Sequence, residues 1–427
     1  METANKISEK INLVVADMGY GHQRAAFPLR SDAGDNFFLI NDYPEIKPWE
    51  KEFWSDNLGS YEKISRWKDI PLIGDLIFSG MDYLQRIEPF APGKKNYRPS
   101  LQQLFFYFQV YRGLGKCLIN RLKFSRLPLV TSFFVAAYAA EYYRYSGDIY
   151  CIVCDSDISR AWAPLNGKRS RIKYLAPNKR VFERLQSYGV KKENIFITGF
   201  PLPKENIGQD RSVLVSDFSG RISRLDPNNR LENSLRLELE GAGVKIKKTE
   251  EPITITYAVG GAGAQKEIGV KIIEQLKDSL LAGKYKVNLV AGVRLEVRDY
   301  FQEEIDKLGL SGESVRIIYA EKKDEYFRLF NEVLRRTDIL WTKPSELSFY
   351  CALGLPFIAS ESVGAQEDFN LDWLKEIGAV IPGLDPEEIS KTLPELIANG
   401  SLAKAAANGF LKAEAMGAYH IESLLNL

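Results

Sequence analysis

Short apolar runs alternate along this chain with longer stretches in which apolar positions recur at helical spacing. The short runs read as buried strands and the longer ones as helices. In the first half the strands are Ile11–Ala16, Phe37–Ile40, Pro128–Thr131, Ile149–Cys154, Lys173–Ala176 and Ile195–Thr198. Helices are expected over Val135–Tyr145 and over Lys179–Tyr188, where Gly189 stops the second. The second half restarts the pattern with Ile253–Val259, a tight glycine loop and an amphipathic helix over Gln265–Leu281. Strands at Val287–Ala291, Val315–Tyr319, Ile339–Trp341 and Pro356–Ala359 follow. Such alternation predicts parallel sheets covered by helices on both faces. Because it occurs twice, the expected fold is α/β: two doubly wound, Rossmann-like domains facing across a cleft, with ligands beyond the carboxyl ends of the strands.

Two stretches break the rhythm. Residues 205–251 are charged and irregular, and read as a linker or insertion between a first domain at 1–204 and a second at 252–408. The alanine-rich end, Ser401–Leu425, reads as helical, with a terminal helix over 409–427 that can cross back onto the first domain. The other exception, residues 42–126, holds Trp49, Trp54, Trp67, Phe78, Tyr83, Phe90, Tyr97 and the run Phe105-Phe106-Tyr107-Phe108, with Lys94, Lys95 and Arg98 among them. Aromatic and basic residues on one face suit a membrane interface or a lipid acceptor. A helical subdomain with an aromatic core fits the same residues.

Composition narrows the class. The 427 residues are 45% hydrophobic with net charge +1, enough apolar surface for sizeable cores and no bulk charge that points to nucleic acid. The N-terminus carries charged residues and then a strand, not a signal peptide, and no apolar run reaches membrane-spanning length. The expectation is a cytoplasmic protein, at most peripheral to the inner face of a membrane. Of the four cysteines, Cys151 and Cys154 form a C-x-x-C inside an apolar run, without a second ligand pair at zinc spacing. They read as core cysteines, and no metal or cofactor is expected.

The candidate chemistry starts at Asp17-Met18-Gly19-Tyr20-Gly21-His22, which follows the first strand. Glycines let a substrate approach the backbone, a helix start favours negative charge, and an imidazole accepts a proton near neutral pH. Taken alone, the loop is equally the first βα turn of any open sheet, with His22 capping or packing.

Several pieces together resemble glycosyltransferases of the two-Rossmann-domain (GT-B) type. The closest branch contains monogalactosyldiacylglycerol synthase, diacylglycerol glucosyltransferases and the N-acetylglucosaminyltransferase of peptidoglycan lipid synthesis. Asp17 to His22, followed by Ala25-Ala26, resembles that branch's D-x-G-x-G-H loop. Leu129 to Ser132 is similar to its strand before a T-H pair, and Val153-Cys154-Asp155 with Trp162 to its T-D…H-x-x-W stretch. Asn194 to Pro201 resembles the G-x-P ending of the first domain. In the second domain, Gly260-Gly261-Ala262-Gly263 resembles the loop facing the donor diphosphate. Thr342-Lys343-Pro344-Ser345-Glu346 through Pro356 resembles the donor helix, and Gly364-Ala365-Gln366-Glu367 with Asn370 the G-Q-E…N block. The likeness runs from about residue 11 to about residue 380, broken by 42–126 and 204–251. This chain also departs from the pattern. Ser132 and Ser159 stand where the family has histidines, Phe349 stands where a glutamate binds the ribose, and Glu346 lies one turn earlier among phosphate-facing positions. A carboxylate there competes with a diphosphate.

The resemblance implies an inverting, metal-independent transfer of a sugar from a nucleotide-sugar donor, a UDP-sugar by the family's habit, to a hydroxyl acceptor. A lipid or lipid-linked acceptor at a membrane surface belongs to that branch. His22 would be the base, supported by Asp17 or Asp155. Gly21, Gly260, Gly261, Ala262, Gly263, Arg294, Ser345, Glu346, Gln366, Glu367 and Asn370 would bind the donor. Asp157 and Arg160 read either as acceptor contacts or as an exposed loop ion pair. Arg294 reads equally as a solvated surface residue, Gln366 and Glu367 as loop caps, and Trp162 as a core side chain. Two other functions fit the same architecture: a nucleotide-sugar 2-epimerase, and a non-catalytic relative that binds a sugar nucleotide.

Overall fold

In the computed structural model, which describes residues 9–56, 93, 95–246, 249–260, 263, 265–310, 312–362 and 365–427, the apolar runs pair into two separate parallel sheets. The first contains β1 (Asn12–Val15), β2 (Phe37–Leu39), β3 (Leu129–Thr131), β4 (Ile149–Ile152), β5 (Ile172–Ala176) and β6 (Ile195–Ile197). The second contains β7 (Ile253–Ala258), β8 (Tyr285–Gly292), β9 (Val315–Tyr319), β10 (Ile339–Thr342), β11 (Phe357–Ala359) and β12 (Val380–Ile381). Strand β12, two residues long, is too short for any periodicity to announce it. Contacts divide the chain into two units. One comprises Met1–Pro201, Gly364–Gln366 and Met416–Leu427, and the other Leu202–Val363 and Glu367–Ala415.

Strand order sets where each unit can bind a ligand. Among the described residues the first sheet runs β2-β1-β3-β4-β5-β6, so the chain steps from β1 to one side and then resumes on the other at β3. The second runs β12-β11-β10-β7-β8-β9, with the reversal between β7 and β10. Taken in chain order this second sheet has the Rossmann order, and the first has the flavodoxin-like order with one more strand. The registers align the central strands. Leu13 lies opposite both Phe37 and Val130, and Tyr257 opposite both Leu289 and Trp341. These strands are buried, as fully covered parallel sheets require.

Within residues 205–251 the chain forms the helices Ser212–Leu225 and Asn233–Gly241, which group with the second unit. The charged pattern hid an anchor. Arg221 is 1% exposed and donates to the main-chain carbonyls of Thr337 (2.7 Å), Leu353 (2.6 Å) and Leu334 (3.2 Å). Burial pushes its guanidinium pKa down to about 10, so it stays charged at neutral pH. Phe218 of the same helix stacks on Phe410 at 4.2 Å.

The alanine-rich end is two helices, Ser401–Lys412 and Gly417–Leu425, separated at an extended Ala413. The first lies in the second unit and the last groups with the first unit, where His420 Nδ1 donates to the Thr198 carbonyl at 2.8 Å. The helix expected over Gln265–Leu281 likewise divides at Leu276.

Replacing Arg221 with Leu leaves three buried carbonyls without their donor. We expect a loss of about 3 kcal/mol or more in the stability of the second unit, read from urea unfolding.

Candidate functional site

In the first unit the candidate residues gather at the strand-order reversal. Strand β1 ends at Val15, and the chain crosses Asp17 to Gly19 before the helix Tyr20–Ala26. Gly19 has φ +90° and ψ −174°, a conformation open essentially to glycine alone. It lets the helix begin at Tyr20, so His22 and Gly21 sit in its first turn rather than on the preceding loop. Asn41, beyond β2, holds the loop's main chain: Asp17 N–H donates to Asn41 Oδ1 (2.9 Å), and Asn41 Nδ2 donates to the Asp17 carbonyl (3.0 Å).

His22 Nδ1 lies 2.6 Å from the main-chain carbonyl oxygen of Ser132, just past β3. A carbonyl only accepts, so Nδ1 carries the proton and, in the neutral ring, the lone pair is on Nε2. The Ser132 hydroxyl donates back to the His22 carbonyl at 2.7 Å. A residue that stands where the resembling family has a histidine thus fixes this imidazole. Asp155 follows β4, the strand next to β3, and the neighbouring Cys154 thiol donates to the Ser132 carbonyl at 3.6 Å. The ring meets Phe133 edge-on at 5.0 Å and lies 6.3 Å from Trp162, which is a core residue 3% exposed.

Asp157 and Arg160 are neither acceptor contacts nor an exposed ion pair with each other. Both are buried. The Asp157 carboxylate receives two bonds from Arg184, from Nε at 2.7 Å and from Nη2 at 2.6 Å. Arg160 donates to the carbonyls of Ala163 (2.9 Å) and Pro164 (3.2 Å), and burial lowers its pKa. Ser159, also buried, precedes the short turn Arg160–Trp162. Cys151 and Cys154 are buried and not joined in a disulfide, and burial pushes the Cys151 thiol up.

The aromatic segment divides its residues between two faces. On the helix Leu101–Arg112, Phe106 packs on Phe134 (5.5 Å) and Tyr107 stacks on Tyr138 (4.4 Å). The opposite face exposes Leu101, Leu104, Phe105, Phe108 and Tyr111, while Gln103 and Gln109 are buried. Its polarity is thus inverted over much of its length. Ring contacts run from Phe105 through Phe53, Trp54 and Phe133 to His22. Trp49 is half-buried, and Tyr97, Lys95 and Arg98 are exposed. Trp67, Phe78, Tyr83, Phe90 and Lys94 lie outside the described residues.

In the second unit the reversal falls between β7 and β10. The Thr342 hydroxyl donates to the Ala258 carbonyl at 2.8 Å and ties the two strand ends together. Past them, the Lys343 side chain crosses Gly260 so closely that a Cβ there would stand 2.6 Å from Lys343 Cε. An alanine there would make the flexible end of the lysine shift. Lys343 Nζ pairs with Glu367 Oε1 at 2.5 Å, and the two side chains are 17% and 10% exposed. The composition of the loop suggested glycines opened for a ligand. The structure adds a cation laid across the first of them, a residue that the sequence reading quoted but gave no role. Its signal was available: it is the first charged residue after an apolar strand, as Asp17 is after β1.

Arg294 follows β8, and its Cδ lies 3.1 Å from where a Cβ on Gly263 would be. Its side chain is 18% exposed, so it is not a solvated surface arginine. Ser345 Oγ caps the short helix Glu346–Leu353 by accepting from Leu347 N–H at 3.4 Å, and places Glu346 in the first turn. Asn370 is buried, and its amide donates to the Pro344 carbonyl at 3.3 Å. Phe349, at the ribose-glutamate position, is 3% exposed and packs on Trp373 at 5.0 Å. Gly261, Ala262 and Gly364 lie outside the described residues, and Gln366 groups with the first unit. Among the described residues no cluster of His, Cys, Asp and Glu has the makings of a metal site, and no helix is long and apolar enough to cross a membrane.

No family model matches this chain, and no curated protein matches it. Solved structures are similar in fold. S. aureus MnaA in its complex with UDP aligns over 98% of this chain and 97% of its own, at 12% identity and a TM-score of 0.48. UDP-GlcNAc 2-epimerase from Neisseria meningitidis, bound to UDP-GlcNAc, covers 98% and 100%, at 12% identity and 0.47. MurG of Acinetobacter baumannii covers 98% and 99%, at 13% identity and 0.46. These identities are too low to carry chemistry across.

The Asp157–Arg184 pair is buried and bidentate, so removing one partner strands the other's charge. We expect Asp157→Ala to destabilise the first unit by about 3–5 kcal/mol, measured by denaturant unfolding.

Proposed function

We propose that the chain is an inverting glycosyltransferase: the second unit holds a nucleotide-sugar donor and the first supplies the base that activates a hydroxyl acceptor. The observation that carries the reading is the fixed tautomer of His22. A proton held on Nδ1 by the Ser132 carbonyl leaves Nε2 as the basic nitrogen, at the carboxyl edge of a parallel sheet. The acceptor hydroxyl would pass its proton to Nε2 while its oxygen bonds to the anomeric carbon. The bond from that carbon to the diphosphate oxygen would break on the opposite side, inverting the centre.

The leaving diphosphate gathers charge. In the second unit Lys343 and Arg294 flank the glycine loop, where cations and main-chain amides stabilise such charge without a metal. Each of these cations is itself paired with a carboxylate, Lys343 with Glu367 and Arg294 with Glu296, so a diphosphate competes with those partners as well as with Glu346. Phe349, turned into the core, cannot bind the ribose, so recognition of that sugar falls to other groups. Uridine diphosphate is the carrier we favour from the family resemblance. For the acceptor, the exposed stripe Leu101, Leu104, Phe105, Phe108 and Tyr111, joined to His22 by ring contacts and accompanied by Lys95 and Arg98, suits a lipid at a membrane surface.

His22→Ala should keep the fold, checked by circular dichroism, and lower transfer by about a hundred- to ten-thousand-fold. Transfer should survive chelation by EDTA. Parental rates in the purified variant refute the role of His22, and epimerised donor formed without acceptor assigns the alternative 2-epimerase reaction. Replacing Phe105 and Phe108 together with Glu should abolish co-sedimentation with vesicles containing anionic lipid. Unchanged co-sedimentation removes the membrane from the proposal.

A further inference from the structure

The ion pair between Lys343 and Glu367 has no evident structural purpose. A mostly buried lysine–carboxylate pair is weak evidence for stability, because desolvation offsets much of its Coulombic gain. Its place in the second unit is more informative. Lys343 is the first residue past β10, at the strand-order reversal, and its ammonium lies over Gly260, on the loop past β7. Glu367 sits in the first turn of the helix Ala365–Ile377, where the helix dipole favours a carboxylate whether or not a cation is beside it.

We infer that Lys343 exchanges partners: it is paired with Glu367 and passes to the phosphates when a nucleoside diphosphate binds. The inference rests on the donor reading above. Each element has a reason. A diphosphate offers more charge and more acceptor oxygens than one carboxylate, so it outcompetes Glu367 for the ammonium. Glu367 loses this cation but keeps its place at the favourable end of its helix. The released carboxylate is then an acceptor for sugar hydroxyls, the role that the sequence reading gave it. Phosphate recognition and sugar recognition are thereby coupled through one side chain. Gly260 is the third member of the device, because any side chain there displaces the lysine from the loop.

Calorimetric titration of the full chain with a panel of nucleoside diphosphates, and with the matching nucleosides, tests this. Lys343→Ala should weaken the diphosphate that binds the parent by about ten- to a hundred-fold and leave its nucleoside unaffected. Lys343→Arg should restore most of the loss, and Gly260→Ala should copy Lys343→Ala. Glu367→Gln should act in the opposite direction and tighten the diphosphate, because the competing carboxylate is gone. Diphosphate affinity that is unchanged or weaker in Glu367→Gln, or unchanged in Lys343→Ala, overturns the exchange and leaves the donor reading standing. A parent chain that binds no nucleotide of the panel overturns the donor reading, and the exchange falls with it.

Discussion

Each sheet reverses its strand order beside its first strand, and that topological constraint decides where the chemistry can sit. Where neighbouring strands lead their connections to opposite sides, their carboxyl ends leave a gap that no crossover covers. In the first unit the gap lies between β1 and β3, and in the second between β7 and β10. Residues far apart in sequence meet at each: His22 with Ser132, and Lys343 over Gly260. One contact fixes a proton and the other places a cation.

The polar interior of the first unit explains why His22 stands out among its neighbours. Asp157 and Arg184 satisfy each other, and Arg160 is spent on two carbonyls. These groups lock the connections after β4 into the fold. The imidazole donates its Nδ1–H to the Ser132 main-chain carbonyl and has the Phe133 and Trp162 rings beside it.

Much of the molecule was legible in the sequence because buried parallel strands are rich in apolar and β-branched residues. Ile253–Val259 and Val315–Tyr319 therefore announced β7 and β9 almost to the residue. Other features were hidden for physical reasons. Arg221 looks like part of a charged insertion, because a guanidinium with three carbonyl partners is indistinguishable in sequence from a solvated one. The helix Leu101–Arg112 turns Gln103 and Gln109 inward and Leu101, Leu104, Phe105, Phe108 and Tyr111 outward, which no periodicity rule assigns to the correct face. The break at Ala413 was likewise invisible, since alanine favours helix and only the return of the last segment to the first unit requires an extended residue.

The sequence by itself determined the alternation of strands and helices, the duplication of that pattern, and the glycines that begin each candidate loop. These follow from local burial and backbone sterics, which the residue types encode directly. Only the tertiary structure decided which nitrogen of His22 carries the proton, that Phe349 belongs to the core, and that Lys343 lies across Gly260 against Glu367. Each of those depends on a partner delivered by another strand end or helix. The order in which strands assemble fixes such meetings, and composition along the chain does not.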